Sequence, residues 1–115
     1  MKFKKLIKYV EDSYSSKPSF LILMSDGKEY ISNGCVFKEN TPENIATLVE
    51  QFECEEHIDR LLNAPDNPDV GRIKNLRSMF QGCEGLTEFT ADLSSLTDGL
   101  WMFQGCKNLS RNLRD

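Results

Sequence analysis

The segment Met79-Phe80-Gln81-Gly82-Cys83 recurs unchanged as Met102-Phe103-Gln104-Gly105-Cys106, 23 residues further on. Leu86 and Thr87 are echoed at the same offset by Leu109 and Ser110. An identity of this length that contains Met, Phe and Cys is far outside chance. It limits what the last third of the chain can fold into. Each unit has few apolar positions: Phe80, Cys83, Leu86, Phe89, Leu93 and Leu96. They cannot enclose a core within one turn of chain. Stacking the next unit on the first places Phe103 over Phe80 and Cys106 over Cys83, so that like residues form ladders along a solenoid. Cysteine suits such a ladder because it is small, apolar and usually buried. Gly82 and Gly105 permit a tight turn after the Met-Phe-Gln segment. Leu86 to Ala91 is the expected strand of the unit.

A period of about 20 to 29 residues is that of leucine-rich repeats. The pattern Leu-x-x-Met-Phe-x-Gly-Cys-x-x-Leu-Thr, from Leu76 to Thr87, resembles the BspA-like leucine-rich repeats of bacterial surface proteins and of phage and prophage proteins. Asp92-Leu93-Ser94-Ser95-Leu96-Thr97-Asp98-Gly99 is similar to the linking segment of the phage-type form. The resemblance covers roughly residues 70 to 110. It implies a curved solenoid that binds other macromolecules, and it implies no catalytic residue and no cofactor. Arrays of that family hold many repeats, whereas this chain has about two. Such stacks need about three units, or a cap at each end. The helices expected over residues 42 to 63 are the candidate amino-terminal cap. At the other end a partner, or a second copy of the chain, is expected to cover the last repeat.

The first 65 residues match no recognised family. Phe3, Leu6, Ile7, Val10 and Tyr14 fall at helical spacing, with Lys2, Lys4, Lys5 and Lys8 elsewhere on the surface, which predicts an amphipathic helix over residues 2 to 14. Ser13, Ser15, Ser16 and Pro18 would stop it. Phe20 to Met24 reads as a buried strand, Ser25-Asp26-Gly27-Lys28 as a turn, and Glu29 to Ser32 as the returning strand. Asn33-Gly34 makes a second turn, and Cys35-Val36-Phe37 a short third strand. Thr41-Pro42-Glu43 is a helix start: a capping hydroxyl, proline at the first position and an acid at the positive end of the dipole. Ile45, Leu48, Val49 and Phe52 form one apolar stripe, and Ile58, Leu61 and Leu62 another on nearly the opposite face. A break near Glu53 to Glu56 resolves the conflict by making two helices. Ala64-Pro65-Asp66-Asn67-Pro68-Asp69 cannot continue a helix. The expected fold is therefore α+β. An amino-terminal helix, a hairpin or meander and further helices fill residues 1–65, a linker spans 66–71, and a leucine-rich-repeat-like solenoid of about two repeats occupies 72–115.

Composition narrows the function classes. Hydrophobic residues are 39% and charged residues 28%, which is globular rather than disordered. Acids outnumber bases by 18 to 14, for a net charge of -4. That disfavours a direct grip on nucleic acid, which needs a surplus of cations. The lysine-rich start is followed by Lys8, Glu11 and Asp12 rather than by an apolar run, so it is no signal peptide. The longest apolar run, Phe20 to Met24, cannot span a bilayer. A cytoplasmic location with reduced cysteines follows as the expectation.

Cys54-x-x-His57 with Cys35 lacks the second ligand pair of a zinc site. His57, the single histidine, has no orienting third group for a Cys-His nucleophile. No catalytic, metal or cofactor residue is therefore expected. Two surfaces are candidates for a partner. One is the acidic set Glu50, Glu53, Glu55, Glu56 and Asp59. The other is Trp101, the single tryptophan, at the repeat position of Ser78. The first expectation is a non-catalytic protein-interaction module of phage or prophage derivation. The alternative is a phage-encoded inhibitor of the anti-CRISPR type, whose acidic surface blocks the basic nucleic-acid site of a defence nuclease in the host cytoplasm.

Overall fold

The computed structural model of the protein describes residues 1–11, 18–34, 36–52, 55–66, 69–91 and 93–109. Four strands form one antiparallel sheet in chain order: β1 (Phe3–Val10), β2 (Ser19–Met24), β3 (Glu29–Ser32) and β4 (Phe37–Glu39). Two helices follow, α1 (Pro42–Phe52) and α2 (Glu55–Leu62), and then a single 3₁₀ turn at Val70–Arg72. The α+β class is as expected.

β2 is the central apolar strand, and both its faces are covered. Phe20, Ile22 and Met24 enter one apolar cluster while Leu21 enters another. A strand buried on both faces has no polar face to show, which is why its sequence is an unbroken apolar run rather than an alternation. The β2–β3 turn is held by Gly27 at φ +81°, which a side chain would resist. The Asp26 carboxylate closes the same turn, accepting from Lys28 N at 2.9 Å and from the Tyr30 hydroxyl at 2.5 Å. These bonds hold its carboxyl below the usual range.

The first segment is a strand, not the helix its spacing predicts. Two register shifts against β2, between Phe3 and Lys5 and between Leu6 and Lys8, leave Lys4 and Ile7 as extra residues. Each bulge lengthens the side-chain repeat from two residues to three. Phe3, Leu6 and Tyr9 therefore share one face, and Ile7 and Val10 face the other cluster. A twice-bulged strand imitates the spacing of a helix. Tyr14 and the expected stop at Ser13, Ser15 and Ser16 lie outside the described residues, as do Cys35, Glu53 and Cys54. The third strand of the meander forms at Phe37–Glu39, slightly later than expected.

α1 begins as its sequence dictates. Thr41 Oγ1 accepts from Asn44 N at 3.2 Å, and the Thr41 carbonyl accepts from Ile45 N at 2.9 Å. The chain ends α1 at Phe52 and restarts at Glu55. This lets both stripes turn to one side: Leu48 of α1 and Ile58 and Leu61 of α2 are buried with Leu21 and Ile31. Lys8 Nζ reaches the Leu62 carbonyl, placing a cation on the negative end of α2.

The helices thus cover one face of the sheet. The other face, with Leu6, Phe20, Ile22 and Met24 buried at 0% exposure, packs on Leu76, Met79, Phe80 and Leu86 of the repeat region. A fully buried side chain of this size contributes roughly 1.5–3 kcal/mol. The sheet, not the helices as expected, therefore lies against the first repeat copy. One apolar cluster takes residues from both sides of the segment 66–71. No regular strand occupies Leu86–Ala91; Glu88 makes an isolated parallel bridge to Lys2. The start of the chain runs beside this stretch. Met1 N donates to the Gly85 carbonyl at 2.7 Å, and the Met1 carbonyl accepts from Thr87 N at 2.7 Å. Among the described residues, no helix is long and apolar enough to cross a membrane.

Candidate interaction surface

The two copies of the repeated segment lie side by side in the same direction, one period out of step. Their backbones match at the unusual positions. Ser78 and Trp101 have φ of 63° and 61°, and Gly82 and Gly105 have φ of 84° and 82°. Left-handed backbone at a non-glycine residue costs about 1–2 kcal/mol. Here a turn bond accompanies it in each copy, Gln81 N to the Ser78 carbonyl at 3.1 Å and Gln104 N to the Trp101 carbonyl at 3.2 Å. Sequence identity at Met-Phe-Gln-Gly-Cys carries the same turn geometry twice.

From Leu76 to Gly82 four backbone bonds run one way, while at the head of this stretch Thr97 N and Asp98 N donate in the other direction, to the Lys74 carbonyl at 2.8 and 3.0 Å. Leu76, Ser78, Phe80 and Gly82 donate their N–H groups to the carbonyls of Asp98, Leu100, Met102 and Gln104 at 2.9, 3.0, 2.9 and 2.8 Å. Side chains repeat the match. The Phe80 and Phe103 rings stack at 5.9 Å with 4° between planes, and Gln81 Nε2 donates to Gln104 Oε1 at 3.2 Å. A Cβ on Gly105 would stand 3.3 Å from the Gly82 backbone, so glycine sets how closely the copies approach. Cys106 Sγ donates to the Phe80 carbonyl at 3.2 Å. Burial pushes its thiol up to about 12, and Cys83 beside it adds to the shift; burial raises Cys83 as well. Thiols held protonated in this way are poor nucleophiles and poor metal ligands.

Over the length of those four bonds the ladder has a polarity. The next row of equivalent donors is the N–H groups of Gly99, Trp101, Phe103 and Gly105. Among the described residues none of the four has an acceptor. Around this row stand the two large apolar side chains that are most exposed among the described residues, Leu100 at 48% and Trp101 at 44%. The Arg77 guanidinium sits 5.0 Å from the Trp101 ring centroid, and its buried Nε has no hydrogen-bond partner among the described residues. Beside Phe103 lies a cleft of about 260 Å³ lined by Phe89, Thr90, Ala91 and Leu93.

Among the described residues, Trp101 is thus the one predicted contact residue on this surface. Glu50 is exposed on α1, and Glu55, Glu56 and Asp59 are exposed on α2. They belong to the helix layer, across the sheet from the repeat, so the acidic set and Trp101 form two separate surfaces. Glu53 lies outside the described residues. His57 is half-buried on α2, and among the described residues no group of three His, Cys, Asp or Glu is placed to share a metal ion.

Sequence reasoning missed the donor row and Leu100. The repeat offset marked where such a row falls, one period beyond Leu76, Ser78, Phe80 and Gly82, but not whether it gives or takes hydrogen bonds. It also missed an open groove of about 770 Å³ along Tyr9, Glu11, Arg72, Lys74 and Asp98. Its walls come from three separate stretches of chain, and no local motif marks it. Burial, with the Glu11 charge assisting, pushes Tyr9 in this groove up to about 12. No protein-family model, no characterised protein and no solved structure matches the chain.

Proposed function

We propose that this chain is a non-catalytic protein-binding module that engages its partner with the far side of the second repeat copy. Residues 72–115 are read as two coils of a leucine-rich-repeat stack of the BspA-like, phage-type kind. The period, the parallel backbone ladder and the stacked Phe80–Phe103 pair support that reading. The observation that carries the function is the pairing of exposed Leu100 and Trp101 with the donor row at Gly99, Trp101, Phe103 and Gly105. Exposed large apolar groups gathered at one place mark interaction sites, and tryptophan dominates binding hot spots.

The test is capture of the host partner by wild-type chain and by Trp101→Asn. Asparagine tolerates the left-handed backbone at this position, so the fold is kept while the ring is lost. A hot-spot loss of about 2 kcal/mol weakens binding about 30-fold. Unchanged capture by a folded Trp101→Asn protein rejects the surface.

A second reading rests on the helix layer. Glu50, Glu55, Glu56 and Asp59 are all exposed there, as they must be for an inhibitor that occupies the basic nucleic-acid site of a defence nuclease. Reversing Glu55 and Glu56 to Lys would then abolish inhibition and leave the Trp101 surface untouched. Inhibition that persists, and that is insensitive to salt, excludes it.

A further inference from the structure

We infer that the partner contributes a stretch of polypeptide that lies parallel to residues 98–105 and pairs with them through its backbone carbonyls. This deepens the binding reading above and rests on it. The molecule contains the template for such a contact. Phe80 N–H goes to the Met102 carbonyl, and the residue after that carbonyl, Phe103, stacks its ring on Phe80. Phe103 N–H and the Phe103 ring repeat those two features one period further on. The occupant therefore offers carbonyls on alternate residues to Gly99, Trp101, Phe103 and Gly105. It carries an aromatic side chain immediately after the carbonyl that receives Phe103 N–H. That ring lies on Phe103 and enters the cleft of about 260 Å³ beside Phe89 and Leu93. Main-chain bonds supply the affinity in such strand-like recognition, and the pocket supplies the selectivity.

The polarity of the row selects among occupants. Two copies meeting far side to far side would set the four N–H groups of one row against the four of the other, which cannot bond to each other. A second copy placed head to tail would have to present the carbonyl side of its own first repeat copy. That side belongs to the sheet: Phe80 is fully buried against Phe3 and Phe37, at 5.7 and 6.1 Å, and Ser32 Oγ donates to the Ser78 carbonyl at 3.3 Å. An acceptor row borne by a different polypeptide meets neither obstacle.

The experiment follows amide hydrogen exchange by NMR on the full ¹⁵N-labelled chain. The probe is a synthetic peptide with the sequence of residues 96–109, which carries the carbonyl spacing and the ring. Its control is the same peptide in reversed order. In the free chain the amides of Gly99, Trp101, Phe103 and Gly105 are expected to exchange faster than those of Leu76, Ser78, Phe80 and Gly82. Saturating peptide is expected to slow the four together by about tenfold or more and to shift the Phe103 ring resonances, whereas the reversed peptide does neither. Three outcomes overturn the inference. The four amides are already protected in the free chain, so residues of the chain itself cover them. Their protection rises with protein concentration alone, so a second copy covers them. Or the two peptides behave alike. If capture of the partner still depends on Trp101 while the forward peptide leaves the four amides unchanged, the binding surface stands and the backbone pairing falls. Protection by the forward peptide with capture indifferent to Trp101 has the opposite meaning.

Discussion

Gly105→Ala probes the approach of the two repeat copies more directly than any other change. Gly82 and Gly105 have nearly the same backbone, φ +84° and +82°, so alanine at either meets the left-handed penalty of about 1–2 kcal/mol. The surroundings differ. At Gly82 an added Cβ meets nothing within 4 Å, whereas at Gly105 it stands 3.3 Å from Gly82 Cα and N. Backbone cannot swing aside as the tip of a side chain can. The copies must separate by a few tenths of an ångström, which stretches the bond from Gly82 N to the Gln104 carbonyl and loosens the stacked rings. Overpacking of this kind costs about 1–3 kcal/mol. Gly82→Ala should thus destabilise by about 1–2 kcal/mol and Gly105→Ala by about 2–5 kcal/mol. At about 4 °C per kcal/mol for a chain of this size, the Tm losses are about 4–8 °C and about 8–20 °C. Gly27→Ala, at φ +81° with open space around it, calibrates the backbone penalty alone. Thermal and urea unfolding followed by circular dichroism read the three variants. Equal losses at Gly82 and Gly105, within about 0.5 kcal/mol, would refute the close approach.

Other expectations follow from the same packing. A double-mutant cycle of Phe80→Leu and Phe103→Leu should give a coupling of about 0.5–1.5 kcal/mol, as aromatic pairs do; additive losses would mean that the stacked rings do not interact. Leu48→Ala, at 0% exposure between the helices and the sheet, should cost about 2–5 kcal/mol in urea unfolding, and a loss below 1 would mean the helix layer is loosely held. Cys106, Tyr9 and Tyr30 are all pushed up to about 12. Folded values above the unfolded ones give stability that is complete below the unfolded thiol value of about 8.5 and is lost as pH rises toward 12. The urea midpoint should then be level from pH 7 to 8 and fall by pH 11; a flat profile contradicts these shifts. Iodoacetamide at pH 8 should label Cys106 much more slowly than a free thiol, and rapid labelling would show that burial does not hold the thiol protonated.

The sequence was most legible where local chemistry decides structure. The Thr41-Pro42 helix start, the Ser25–Lys28 turn and the buried run at Phe20–Met24 depend on a capping oxygen, a positive φ and apolar content, each readable from a few residues. The break between α1 and α2 was legible because two apolar stripes on opposite faces cannot both be buried in one straight helix. The first strand was not legible. Its spacing of three comes from two bulges, and bulges exist only in relation to a partner strand. The acidic set could be seen as residues, but its separation from Trp101 could not.

What the sequence alone determined is that two like segments recur 23 residues apart, each with an aromatic, a glycine and a thiol in fixed order, because identical side chains in identical order demand the same local backbone. Tertiary structure alone decided the direction of the ladder between them. Whether a turn-shaped segment gives or takes hydrogen bonds on a given side depends on how its peptide planes meet the neighbouring chain, and no order of side chains encodes that. From that direction comes the donor row at Gly99, Trp101, Phe103 and Gly105; apolar packing in three dimensions set the sheet, rather than the helices, against the first copy.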